Sequence, residues 1–187
     1  MRKLIRIALP ALVVIVSACL PALLFAAAGL EQHDMSKHGP DAPSPVVAQV
    51  RAATEQYRDI QRALDAGYVQ FLGCVSGPQE GAMGVHFVNP ALVNDGVLDL
   101  DRPELLIYEF KKGVARLVGM EYVMPAAAWD KDHKGAPVLG GQLMHYAGSP
   151  NRYGLDPFYE LHIWAWRDNP NGTFVDWNTR VSCDETP

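Results

Sequence analysis

Four ionisable residues stand in the middle of otherwise apolar stretches: His86 in MGVHFV, Glu121 in LVGMEYV, His145 in QLMHY and His162 in ELHIWAW. Such groups are costly to bury without a partner. Two or three histidines with one carboxylate form the ligand set of a mononuclear divalent-metal site, with Zn, Fe or Mn as candidate ions. The metal candidates are His86, Glu121 and His162. Without a metal, Glu121 would serve as a general base, its pKa raised by apolar neighbours, with a histidine such as His162 as partner. The four residues lie roughly 17 to 35 positions apart, so no short-range spacing links them. Each one also fits a hydrogen-bonded place in a strand core.

The stretch FYELHIWAW adds aromatic rings. As a strand it shows Phe158, Glu160, His162, Trp164 and Trp166 on one face, and Tyr159, Leu161, Ile163 and Ala165 on the other. The second face is ordinary core. The first is a poor surface, since exposed apolar patches invite association. It should be covered by the N-terminal helix, by another chain, or by lining a ligand cavity. A plain core is the alternative, with Glu160 at the strand edge reaching water. The ligand-binding candidates are therefore His86, Glu121, His145, His162, Trp164 and Trp166. Glu109 is a lesser candidate. Hairpin pairing through Lys111–Gly113 places Glu121 near Pro103 and away from Glu109, so the two carboxylates should not form a dyad. His133, in DKDHKG, reads as a solvated loop residue.

The familiar catalytic signatures G-x-S-x-G, G-x-x-x-x-G-K-[ST], H-E-x-x-H and G-x-G-x-x-G do not occur. Gly73-Cys74-Val75-Ser76-Gly77 has the wrong spacing for a nucleophile elbow.

The elements that must position these residues are one helix and about six short strands. Ser44 can cap a helix that has Pro45 at its first position. Val46, Val50, Ala53, Tyr57, Ile60 and Leu64 then form one apolar stripe over about six turns. Arg51, Glu55, Arg58, Asp59 and Arg62 lie opposite, with Glu55–Arg58 and Asp59–Arg62 as pairs. Gly67 suits the left-handed C-terminal position. Strands are expected near 83–88, 105–110, 114–123, 141–146, 158–166 and 173–177, the last two joined by the turn DNPNG. Asn171-Gly172-Thr173 also fits a glycosylation sequon. The expected fold is α+β: a long N-terminal amphipathic helix packed on a curved, mainly antiparallel sheet or partial barrel.

The chain opens MRKLIRIALPALVVIVSACLPALLFAAA. A basic start, a long apolar run and the small residues Ala26–Ala28 make residues 1–28 an expected export signal. The alternatives are an uncleaved membrane anchor through residues 7–30 and lipidation at Cys19 within Val16-Ser17-Ala18-Cys19. Residues 29–45 read as a flexible linker; its His33, Asp34, Met35 and His38 could bind copper loosely, though a solvated tail explains them. Residues 46–187 then form a single domain. Removing Arg2, Lys3 and Arg6 with the signal takes the net charge from −5 to −8. That balance disfavours nucleic acid as a partner, leaves the membrane only the N-terminal segment, and says nothing about oligomers. Of three cysteines, Cys74 and Cys183 remain in the domain, and an exported chain should join them in a disulfide.

GAMGVHFVNP, RPELLIYE, LVGMEYVMP, NRYGLDPFYELHIWAW and DNPNGTFVDWNTRVSC together resemble a family of small exported bacterial proteins to which no activity is assigned. The resemblance implies a bacterial origin and a periplasmic or extracellular place. It also implies that Cys183 belongs to the domain. It carries no cofactor and no catalytic residue. Three functions stay open: binding of a small, partly apolar molecule; a metal-dependent or acid–base enzyme using the same residues; and a structural or interaction protein using the tryptophan-rich face.

Overall fold

The structure is a computed structural model and describes residues 43–185. The expected signal, Cys19 and the linker histidines lie outside the described residues. Helix α1 (Pro45–Thr54) begins as expected, with Ser44 Oγ accepting from the Val47 amide at 3.3 Å. It does not run on for six turns. A 3₁₀ turn (Glu55–Arg58) follows, and α2 (Ile60–Asp65) starts afresh. Asp59 makes the break: its backbone is extended, and its carboxylate caps the Gln61 amide instead of pairing with Arg62. The side chain thus competes with the helix for backbone donors. The break rotates the apolar stripe, so that Val47, Val50 and Ala63 are buried while Leu64 is 42% exposed. Glu55–Arg58 forms, at 3.0 Å, and is exposed. Gly67 takes the left-handed conformation that ends α2.

The strands are β1 (Val69–Gln70), β2 (Val75–Ser76), β3 (Ala82–Val88), β4 (Leu105–Lys111), β5 (Val114–Pro125), β6 (Val138–Leu139), β7 (Gln142–Leu143), β8 (His145–Ala147) and β9 (Phe158–Ile163). Short helices α3 (Pro90–Val93) and α4 (Ala126–Trp129) follow β3 and β5. Seven strands form one open antiparallel sheet in the order β1-β3-β4-β5-β9-β8, with β2 also on β3; β6 and β7 pair separately. The expected strand at 141–146 is divided between β7 and β8. The expected strand at 173–177 does not form. Thr173 instead accepts the Trp164 amide at 2.9 Å, and the chain beyond it turns.

The sheet is buried on both sides. Phe87, Leu106, Tyr108, Met120, Tyr122, Leu161 and Ile163 meet α1, α2 and their neighbours in the main core. On the other face Ile107 and Trp164 join Ala82, Val118 and Val181 in a second cluster. Two backbone features shape this face. Gly84 has φ +102°, and a Cβ there would lie 2.8 Å from the Tyr108 carbonyl oxygen. Gly119 leaves room for the Trp164 ring, which a Cβ would approach to 3.1 Å.

The hairpin β4–β5 turns through Lys112 (φ +53°) and Gly113 (φ +72°), so Lys111 pairs Val114 and Glu109 pairs Arg116. A bulge then leaves Val118 unpaired between Leu117 and Gly119, and Glu121 pairs Leu105, two residues from the expected Pro103. Glu121 and Glu109 are indeed apart.

Cys74 and Cys183 form the disulfide, closing a separation of 109 residues. In the chain-entropy account such a loop stabilises the fold by roughly 4–5 kcal/mol. Urea unfolding with and without reductant measures this. Reduction, or Cys183→Ser with Cys74→Ser, should lower the unfolding free energy by about 3–5 kcal/mol; matching curves would show that the bond adds nothing.

Candidate functional site

His86 on β3, Glu121 on β5 and His162 on β9 point to the same side of the sheet. Pairing places Glu121 beside His162 on the neighbouring strand and across β4 from His86. His86 Nε2 lies 3.4 Å from Glu121 Oε2, and His162 Nε2 lies 4.0 Å from the same oxygen. One ligand atom from each residue falls within 4.8 Å of the others. All three are buried, at 4%, 6% and 1% exposure. Asp176 approaches from the other side, its Oδ1 3.4 Å from His162 Nδ1. Glu160, also buried, is next but one to His162 on β9. Both nitrogens of His162, Oδ1 of Asp176 and Oε2 of Glu160 are buried without a well-aligned hydrogen bond. Buried polar atoms are rarely left so.

The electrostatics separates the three residues. Burial, with the neighbouring charge of His162, pulls the His86 pKa down to about 3 and keeps its ring neutral. Burial pushes Glu121 up to about 8; His162 opposes this and the carboxylates of Glu160 and Asp176 add to it. Burial alone would lower His162, but Glu121, Asp176 and Glu160 outweigh it and hold its pKa at about 9. Asp176, also penalised by burial, is held below its ordinary value by His162 and His145. A neutral imidazole, a carboxyl that changes charge near neutral pH and a charged imidazole therefore share one small volume.

Beside this cluster opens a cavity of about 510 Å³. His86 and Glu121 are in its wall; apolar side chains such as Leu105, Val123, Leu155 and Phe158 supply most of the rest. The walls come from β3, β4 and β5, from α3, from Phe71-Leu72 and from the segment 153–158. Tyr153 lies in the wall too, its hydroxyl 3.5 Å from Met83 Sδ.

The sequence candidates are distributed unevenly around this space. His86 and Glu121 line the cavity, and His162 lies behind Glu121. His145 is at the rim of the cluster: its side chain is 58% exposed on β8, with Nδ1 3.6 Å from Asp176 Oδ1. Trp164 and Trp166 do not line the cavity, which corrects the expectation for both. Trp164 fills the second cluster and donates its indole N–H to the Val175 carbonyl. Trp166 is on the opposite side of the sheet. Strand β9 ends at Ile163, the Ala165 amide bonds back to the Ile163 carbonyl, and the alternation is lost. Trp166 there donates to Thr54 Oγ1 at 3.0 Å and lies under the guanidinium of Arg58, 5.1 Å from its ring centre. The two rings share no face, so they present no common tryptophan surface.

Glu109 is buried and occupied, accepting from Arg167 at 2.7 Å and from the Ser182 amide at 3.1 Å. It ties the C-terminal segment to β4. His133 is exposed and stacks on Trp129. Sequence reasoning missed Asp176, although a lone charge inside TFVDW was a usable sign. Glu160 is buried, as expected for a covered face, and its strand neighbour is His145 on β8.

Fold and site together define an α+β domain with a buried histidine–carboxylate cluster opening on an apolar cavity. Comparisons with protein-family models, curated proteins and solved structures return no match.

In metal-free protein at neutral pH, ¹⁵N spectra of the imidazoles should show His86 neutral and His162 carrying both ring protons. A neutral His162 would contradict the charge assignment. His162, raised from 6.5 to about 9, contributes stability that is full below its unfolded pKa and is lost as pH rises through the folded one. Asp176→Asn should therefore destabilise the protein more at about pH 6 than at about pH 10 in urea unfolding.

Proposed function

We propose that this protein is exported and binds a small, largely apolar molecule in the cavity, with its polar end held at His86 and Glu121. The observation that carries the reading is the cavity itself: about 510 Å³, with mainly apolar walls and a few polar groups, His86 and Glu121 among them. Binding sites for small molecules share that composition, the apolar wall giving affinity and the few polar groups orientation. Export is supported by the disulfide, which suits an oxidising compartment, and by the basic and apolar start of the chain. Among the described residues no helix is long and apolar enough to cross a membrane. The resemblance to small exported bacterial proteins points the same way.

An acid–base enzyme using the same residues is the second reading. It draws on Glu121, whose pKa of about 8 suits proton transfer near neutral pH, 3.4 Å from a neutral imidazole. It requires a substrate whose exchanging proton reaches Glu121 from the cavity.

N-phenyl-1-naphthylamine, an apolar dye that brightens on leaving water, tests the first reading. It should bind the wild type at one site. Val93→Trp, which puts a large ring into the cavity wall, should weaken binding at least about tenfold, equivalent to about 1.4 kcal/mol. Leu64→Ala, at an exposed apolar position away from the cavity, should leave it unchanged. Equal binding by the Val93→Trp protein would place the dye elsewhere and remove the reading.

A further inference from the structure

We propose that His86, Glu121 and His162 hold a divalent transition-metal ion at the cavity floor, positioned by Asp176, and that the cavity takes apolar molecules with an oxygen donor at one end. The second half rests on the ligand-binding reading above; the first does not.

Four observations point to the ion. The first is convergence. Two imidazole nitrogens and one carboxylate oxygen from three strands come within 4.8 Å of one another. Metal–ligand bonds of about 2.0–2.2 Å place two ligands on one ion up to about 4 Å apart. The distances of 3.4 and 4.0 Å to Glu121 Oε2 fit this, and the two imidazole nitrogens, within 4.8 Å of each other, would close slightly on an ion.

The second is charge. Glu121, Glu160 and Asp176 crowd around two imidazoles. The arginine ion pairs among the described residues go elsewhere, to Glu55, Asp95, Glu109 and Asp168. Without an ion, His162 is the one cationic side chain set against the cluster's three carboxylates, and a divalent cation would add the positive charge that buried carboxylates need.

The third is the unpaired nitrogen. His162 is 1% exposed, and neither ring nitrogen has an aligned hydrogen bond. With Nδ1 facing Asp176 at 3.4 Å, Nε2 is directed to Glu121 and to the ion's position. Carboxylates hold metal-bound histidines in this way, fixing both ring orientation and tautomer. Asp176 is thus a positioning residue and not a ligand.

The fourth is access. His86 and Glu121 are both in the cavity wall while His162 is behind it. An ion among the three has protein on the His162 side and the apolar cavity on the other. Its remaining coordination positions open there. Two histidines and one carboxylate suit Zn, Fe(II) or Mn, and leave positions for an oxygen donor.

The test uses chelator-treated, disulfide-intact protein and Co(II), followed by its visible spectrum and by titration, with Zn(II) as competitor. One equivalent of Co(II) should bind the wild type and be displaced by Zn(II). Glu121→Gln and His162→Ala should abolish the spectrum. Asp176→Asn should keep it with affinity lowered about 10–100-fold. Because these variants could unfold, far-ultraviolet circular dichroism accompanies each. A rise in wild-type Tm on adding Zn(II), absent in Glu121→Gln, gives a second readout. Octanoate, a carboxylate with an apolar tail, should shift the Co(II) spectrum of the wild type and not that of Val93→Trp. Failure of the wild type to bind Co(II), or equal binding by folded His162→Ala, overturns the ion. Co(II) bound normally but blind to octanoate overturns the ligand class alone. Dye binding lost in Val93→Trp without any Co(II) binding in the wild type would leave the cavity reading standing and the ion refuted.

Discussion

One extra residue in β5 decides which side of the sheet Glu121 faces. From the turn at Lys112-Gly113 the hairpin pairs regularly as far as Tyr108 with Leu117; then Val118 is left out and Ile107 meets Gly119. Side chains alternate along a strand, so a one-residue slip sends every later side chain to the other face. Without the bulge Glu121 would pair Glu104 and point into the main core under the helices. With it, Glu121 pairs Leu105 and faces His86 and His162. The same insertion puts Met120 and Tyr122 into the main core, where they are fully buried. The displaced residue is used: the Val118 side chain joins the second cluster, and its carbonyl accepts the Trp166 amide. The cluster and the packing of β5 thus follow from a single backbone irregularity.

A sheet covered on both faces then sets the terms for everything polar in it. On the helix side the buried tyrosine hydroxyls reach backbone carbonyls: Tyr68 to Pro103, Tyr108 to Tyr57 and Tyr122 to Leu100. Those pairings are complete and read as structure. On the other side Glu109 is likewise complete, clamped by Arg167 and Ser182. The cluster of His86, Glu121, His162, Glu160 and Asp176 is the exception. His86, Glu121, His162 and Asp176 face their neighbours at 3.4 to 4.0 Å, and several atoms of the cluster lack an aligned hydrogen bond. A group of buried ionisable residues held in imperfect mutual satisfaction stores free energy that a ligand or an ion can release. That contrast within one sheet separates a candidate site from core.

Much of this was legible beforehand, and particular residues show why. Local signals worked where the chemistry is local: the cap at Ser44, the left-handed Gly67, the hairpin turn and the two-faced pattern of residues 158–165. The pairing of Glu121 with Pro103 missed by two because the turn and the bulge each shift the register by one. The two shifts add, so Glu121 pairs Leu105, and the bulge sends Leu117 and Glu121 to opposite faces. The continuous helix failed at Asp59, a residue whose side chain can serve the backbone of the next turn. Trp166 failed because parity holds only while a strand lasts, and β9 stops three residues earlier.

By itself the sequence determined the α+β class, the antiparallel hairpin, the disulfide between the only two cysteines of the described region, and the list of ionisable residues misplaced among apolar ones. Each depends on residue type and near-neighbour spacing, which act over a few positions. Tertiary structure alone decided which of those residues meet. Register, bulges and strand order brought His86, Glu121 and His162 together, left His145 at the rim, and drew in Asp176 from a segment that forms no strand. Electrostatic partnership in a buried site changes over an ångström or two, and a separation of 35 residues along the chain carries no information at that scale.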